Sequence, residues 1–176
     1  MPAPTISGSL ALPALKLRRM VELSPTWQQA IDGTDRPVDA PYRVWLRDVV
    51  GEVARPFAVV SIGGVHAYTL QYGGDQNYLR PSGQLFLFLT IDSPPEYNDD
   101  RVSAEFYASS ILGSVIDDVV SLSAADDPGS EDGTSHLMIT AARLEQFGEN
   151  PEEHWQSLGR FFYMGYTFDW GDGGTA

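Results

Sequence analysis

The sequence predicts an α+β fold: a mainly antiparallel sheet with two helices packed on one face, plus a long projecting loop or hairpin. Three observations predict it. Patterned segments run helix, two or three strands, a central strand, helix, two strands, with too little strand–helix–strand alternation for a doubly wound nucleotide fold. One stretch has a broad apolar helical face more than five turns long. The last strand, "FFYMGYTFDWGD" (Phe161–Asp172), is aromatic on both faces: Phe161 and Tyr163 on one, Phe162, Tyr166, Phe168 and Trp170 on the other. A strand of that kind wants cover on two sides, which one small chain does not obviously supply.

The first helix is expected to start at Ser7 or Ser9, with Pro13 early, where a missing N–H is harmless. Leu12, Leu15, Met20 and Leu23 form its stripe, and Lys16, Arg18 and Arg19 lie off it. "LSPTWQQAIDG" then restarts the helix: Ser24 is an N-cap, Pro25 the first helical residue and Gly33 a stop, burying Trp27 and Ile31. "YRVWLRDVV" alternates with Tyr42, Val44 and Leu46 on one face, and "PFAVVSIGG" is a short apolar strand. Residues 63–83 form a long connection rich in Gly and Tyr. A structureless loop of that length is unusual, so "VHAYTLQY" is read as a projecting hairpin or arm.

"GQLFLFLTID" is apolar on both faces and therefore central or doubly covered. "EYNDD" offers Asn98 or Asp99 as the cap of the long helix, with Asp99 and Asp100 both suited to the positive end of its dipole. Ala104, Ala108, Ile111, Leu112, Val115, Ile116, Val119 and Leu122 share its inner face, and Ser103, Ser110, Ser114, Asp117 and Ser121 its outer one. After the acidic loop "SAADDPGSEDGTS", "HLMITAARLEQF" reads as a strand ending in a bulge, and residues 148–158 are an irregular connection carrying Trp155. The expected organisation is one domain over residues 1–171, its arm at 63–83, and a disordered tail at 172–176.

Composition narrows the function. The 176 residues suit one domain, and 43% hydrophobic with 20% charged residues describe a folded chain. The absence of Cys excludes a disulfide scaffold and thiolate chemistry. No apolar run is long enough to span a membrane, and the opening has no basic leader, so synthesis in the cytoplasm is expected. Residues 1–90 carry eight basic and seven acidic side chains, whereas residues 91–176 carry three and 17. That asymmetry argues against wrapping nucleic acid, which needs a basic footprint. It suits a well-solvated exterior or a surface that repels a polyanion.

Catalytic motifs are absent: no phosphate-binding glycine loop, no H-E-x-x-H, no G-x-S-x-G. His66, His136 and His154 are dispersed, with no pair at metal-ligand spacing. "DDPGSEDG" lacks the ligand order of a calcium loop. Asp117 and Asp118, adjacent on a helix, diverge. Catalytic, cofactor and metal sites are therefore all expected to be none. Tyr68, Tyr72 and Tyr78 in the arm are read as contact area for a protein partner, because no basic groove accompanies them for a nucleic acid.

Taken together, the helix ending in "LSPTWQQAIDG", then "PFAVVSIGG", "GQLFLFLTI", a long helix with a Ser/Asp outer face and a strand running to "FDWGD" resemble the tail-terminator and neck (tail-completion, head–tail joining) proteins of tailed bacteriophages. The resemblance is one of order and length over roughly residues 10–171. It implies a structural virion protein that assembles as a homo-oligomeric ring, expected to be a hexamer, between the tail tube protein and the head–tail connector or portal-side proteins. Genomic DNA would pass through the lumen without sequence-specific binding. No catalytic residue carries over. The implied subunit interface comprises Lys16, Arg18, Arg19, Tyr68, Tyr72, Tyr78, Phe162, Tyr166, Phe168 and Trp170. The contrasting expectation is a ligand-binding or enzymatic monomer or dimer, with a pocket between helix 102–122 and the sheet and His66 and His136 at its mouth.

Overall fold

The computed structural model describes residues 11–46, 54–73, 76–124 and 137–172. It is an α+β structure in which a five-stranded, mostly antiparallel sheet carries helices on one face. In chain order the elements are α1 (Leu12–Leu23), α2 (Pro25–Ala30), β1 (Val44–Trp45), β2 (Phe57–Gly73), β3 (Gln76–Asp92), α3 (Arg101–Ala124), β4 (Leu137–Glu149), α4 (Trp155–Leu158) and β5 (Phe161–Asp172). The spatial order is β1-β2-β3-β5-β4, and only the β1–β2 pair is parallel. "GQLFLFLTID" is therefore the middle strand, as its doubly apolar pattern predicts.

Alternation decides which side chains meet the helices. Leu85, Leu87, Leu89 and Ile91 of β3 stand opposite Phe168, Tyr166, Met164 and Phe162 of β5. With Ala58 and Val60 of β2, these rows receive Ala104, Ala108, Leu112, Val115, Ile116 and Val119 of α3. Ile111 and Leu122 pack at the margin of the same core. The predicted inner face of α3 is thus the buried one. Its cap is Asp100, one or two residues beyond the expected Asn98 or Asp99, because a 3₁₀ turn at Pro95–Tyr97 consumes the preceding residues. Asp100 accepts from the Ser103 N–H at 3.1 Å and from its hydroxyl at 2.5 Å, which holds its carboxyl below the usual range.

Three other expectations need correction. The buried stripe of α1 is Ala14, Leu17, Met20 and Val21 rather than Leu12, Leu15, Met20 and Leu23: both sets have helical spacing, and contact with the sheet and α3 selects between them. Ser7 and Ser9 lie outside the described residues. Of the strand expected over "YRVWLRDVV", the described residues 42–46 contain only Val44–Trp45, because Arg43 turns into the left-handed region at φ 57° and breaks the extended run, while residues 47–50 lie outside the described residues. Buried Arg43 donates to the carbonyls of Pro56 (2.6 Å), Asp35 and Ala54, tying three stretches of loop to one guanidinium. Finally, the hairpin expected over residues 63–83 is present, but "PFAVVSIGG" and "VHAYTLQY" are not two elements. Both belong to the 17-residue strand β2, and β3 returns along it from Gly73↔Gln76.

The helix restart is as predicted. Ser24 caps α2, its Oγ accepting from the Trp27 N–H at 3.0 Å, and buried Trp27 donates from its indole N–H to the Tyr42 carbonyl at 2.9 Å. The sequence does not show that Ser24 also donates to Asp118 of α3 at 2.6 Å, or that the same carboxylate accepts the Thr26 N–H at 3.2 Å. Burial pushes the Asp118 carboxyl up, but these hydrogen bonds outweigh it and leave it below its ordinary value. The fold therefore favours charged Asp118. That contribution is present above the unfolded Asp pKa of about 3.9 and is lost as pH falls through the lowered folded value. Ser24→Ala should cost about 1–2 kcal/mol in urea unfolding at pH 7. Asp118→Asn should flatten the loss of stability as pH falls below about 3.9, and an unchanged pH profile would remove Asp118 from that role.

Candidate functional site

All of the packed helices lie on one side of the sheet, so its other side is the place to look for a surface. Phe57, Phe88 and Tyr163 alternate away from the core rows and align across β2, β3 and β5 through the pairs Phe57↔Thr90, Val59↔Phe88, Phe88↔Gly165 and Thr90↔Tyr163. With Trp45 of β1 they form a row of rings. Centroids are 6.4 Å apart for Trp45–Phe57, 6.4 Å for Phe57–Phe88 and 6.0 Å for the stacked Phe88–Tyr163 pair. Contacts at such spacing add about 0.5–1.5 kcal/mol each beyond area burial. The Arg55 guanidinium sits 4.1 Å above the Phe161 ring at one margin, where it also donates to Asp92 at 2.7 Å.

Beside this row runs an open groove of about 500 Å³, lined by Val59, Phe86, Phe88, Gln84, Arg143 and Thr167 among others. Gly165 keeps its floor low, since a Cβ there would meet the Gln146 side chain at 2.9 Å. Phe86 is 41% exposed and supplies its apolar wall. A polar clasp closes one end: Arg143 holds Asp169 at 2.7 and 3.3 Å, and Gln84 donates to the same carboxylate at 2.9 Å. Hydrogen bonds from Arg143 and then Gln84 keep the Asp169 carboxyl below its ordinary range, and Asp169 in turn raises Arg143. The clasp stays a charged pair at any moderate pH, so it orients the groove without supplying an acid or a base.

The predicted interface residues scatter. Phe162, Phe168 and Trp170 are 2%, 0% and 4% exposed and Tyr166 is half-buried against Phe168, 5.9 Å between rings. The cover that the sequence assigned to a neighbouring subunit is supplied by the chain's own helices, because these residues share the core side of the sheet. Tyr163 and Phe161, on the other side, are the ones left at the helix-free surface. Tyr68 lies on the outer β2–β3 hairpin, in edge contact with His66 (5.2 Å), which itself packs on Trp170 (6.0 Å). Tyr72 and Tyr78 occupy backbone positions in the same hairpin, paired with Asn77 and Gln71. Lys16, Arg18 and Arg19 are on α1, where Arg18 and Arg19 reach Glu22 at 2.7 and 3.5 Å, so the basic patch is partly neutralised at home.

The pocket expected under helix 102–122 is occupied by side chains: Ala104, Ala108, Leu112, Val115 and Val119 are fully buried against the sheet. His66 is far along β2, His154 ends a 3₁₀ turn, and His136 and the acidic loop lie outside the described residues. Among the described residues no group of three or more His, Cys, Asp or Glu is placed to hold a metal ion, and no helix is long and apolar enough to cross a membrane.

The geometry defines a class: an α+β chain with helices on one face of its sheet and, among the described residues, an aromatic row and an open groove on the other. No protein-family model matches the chain, and no curated protein matches it. Among solved structures it is similar to a chain from the virion of a native gene transfer agent (GTA) particle, with 10% identity and a TM-score of 0.42 over 94% of this chain and 99% of that one.

Gly148 tests the aromatic row. A Cβ at this position would lie 2.7 Å from the Tyr163 hydroxyl and 2.9 Å from its ring. Gly148→Ala should destabilise the fold by about 1–3 kcal/mol. Tyr163→Phe in the same chain should restore part of that loss, as read by thermal unfolding.

Proposed function

We propose that this chain is a structural virion protein of a tailed phage, forming a ring at the head–tail junction that terminates the tail tube and joins it to the connector. The observation that carries the reading is the helix-free face: a row of rings across four strands and an exposed Phe86, on a sheet whose helices α1, α2 and α3 pack on the other side. A contiguous apolar surface rimmed by polar groups marks a protein contact. Its clasp of Arg143, Asp169 and Gln84 satisfies itself and offers no reactive group. The order of elements that resembles tail-terminator and neck proteins supplies the place: a homo-oligomeric ring, taken as a hexamer, touching the tail tube protein on one side and connector or portal-side proteins on the other.

The charge asymmetry fits the same role. With 17 acidic and three basic side chains in residues 91–176, a lumen lined by this half repels DNA and lets it slide through. The basic side chains of α1 remain the proposed counterpart of the acidic half of the next subunit, although Glu22 already engages Arg18 and Arg19.

Native mass spectrometry across a concentration series is expected to show a discrete sixfold or twelvefold species with no bound small molecule. A monomer or dimer carrying a stoichiometric small molecule would replace this reading with ligand binding. Arg19→Glu should raise the concentration needed for assembly several-fold, while its local repulsion with Glu22 costs the fold only about 0.5 kcal/mol or less.

A further inference from the structure

We propose that the outer β2–β3 hairpin of one copy seats its apolar side in the groove on the helix-free face of the next copy. This rests on the ring reading and names the contact that builds the ring.

The hairpin outruns the sheet. Among the described residues, pairing of β3 with β5 ends at Ser82↔Gly171, whereas pairing of β2 with β3 continues for six further pairs, from Tyr68↔Pro81 to Gly73↔Gln76. Over that length, about 20 Å at the usual rise, the structure is a two-stranded ribbon. Its two sides differ. Tyr68 and Leu70 stand opposite Pro81 and Leu79 on one side, while Ala67 and Thr69 stand opposite Ser82 and Arg80 on the other. Tyr68, Leu70 and Leu79 are 55%, 46% and 61% exposed. A bare two-stranded ribbon is marginal in water and gains stability when one side packs on something. The polar side can stay wet. The apolar side is the one that wants cover.

Register says where that cover is not. The apolar side of the ribbon continues the helix-packed side of the sheet, since Leu85, Gly83, Pro81 and Leu79 alternate on one side of β3. The groove with Phe86 and Phe88 is on the opposite side. A chain cannot fold its own ribbon through its own sheet, so the two surfaces can meet only between copies. They are different surfaces, so the contact is head-to-tail and propagates until it closes.

Size explains why closure matters. A strip about 20 Å long and about 10 Å wide covers roughly 200 Å² per partner, far below the ~1,200–2,000 Å² total of a stable pairwise interface. One such contact makes a weak dimer. In a closed ring every subunit gives one ribbon and receives one, and the last contact forms at high effective concentration. The assembly should therefore pass from monomer to ring with little dimer between.

The chain has no cysteine, which makes the test clean. Leu70 and Phe86 are both partly exposed, so replacing them leaves the core untouched. Full-length chain carrying both Leu70→Cys and Phe86→Cys, oxidised mildly at a concentration where the wild type assembles, is expected to give a ladder of covalent oligomers up to ring size on a non-reducing gel. A mixture of the two single variants should stop at the cross-linked dimer. Dimers from Leu70→Cys alone would mean ribbon against ribbon and would overturn the proposal. Rings seen by native mass spectrometry with no cross-link in the double variant would overturn the contact and leave the ring reading standing. A wild type that stays monomeric throughout, with no cross-link, would remove both. As a second readout, Leu79→Ser should raise the assembly midpoint at least tenfold with little change in melting temperature. An unmoved midpoint would count against the contact.

Discussion

The structure depends on one constraint: two of its inner strands, β3 and β5, carry apolar side chains on both sides, and the chain's packed helices cover only one side. Alternation forces the division. Leu85, Leu87, Leu89, Ile91, Phe162, Met164, Phe168 and Trp170 go to the helices, and Phe86, Phe88, Phe161 and Tyr163 go to the other side. Nothing in the backbone lets a side chain change sides without moving the whole register. The helix-free side must therefore solve its own burial problem. It does so in part by stacking rings along a row from Trp45 to Tyr163.

The helical layer is fastened by polar contacts at few points. Asp118 joins α3 to the start of α2 through Ser24 and Thr26, so the cap of a short helix and the seat of a long one are the same carboxylate. Arg43 gathers the carbonyls of Asp35, Ala54 and Pro56, which ties the residues just before β2 to the loop after α2. At the other end, Asn150 pairs its backbone N–H with the Phe161 carbonyl, accepts the Phe161 N–H on its side chain, and donates to Gly159. Among the described residues, the outer hairpin and the helix-free face keep exposed apolar side chains at Tyr68, Leu70, Leu79 and Phe86.

Those two surfaces sit on opposite sides of a single sheet. A reactive site gathers groups with displaced protonation states in a concavity; here the displaced carboxylates, Asp100, Asp118 and Asp169, are each held in the charged form by hydrogen bonds that serve caps and clasps. The sheet thus carries apolar side chains facing two ways, in a chain whose residues 91–176 are strongly acidic.

Much of this was legible in the sequence because it is local. The cap at Ser24, the inner face of α3, the doubly apolar β3 and the two-faced β5 follow from spacing alone, and each is where the residues place it. The α+β class followed from their order. What spacing could not resolve was degenerate or distant. The two candidate stripes of α1 are equally helical, and only the sheet chooses Leu17 over Leu15. Neither "VHAYTLQY" nor "PFAVVSIGG" reveals that they form one strand, because Gly63 and Gly64 read as a break while the partner strand β3 carries pairing past them through a bulge. The Arg143–Asp169–Gln84 clasp joins three strands through register, and no short-range pattern signals it. The sequence by itself determined that β5 has two apolar faces. Only the tertiary structure decided which face α1, α2 and α3 bury and which they leave open, because that choice depends on where α1 and α3 cross the sheet, and helices are placed by contacts far apart in the chain.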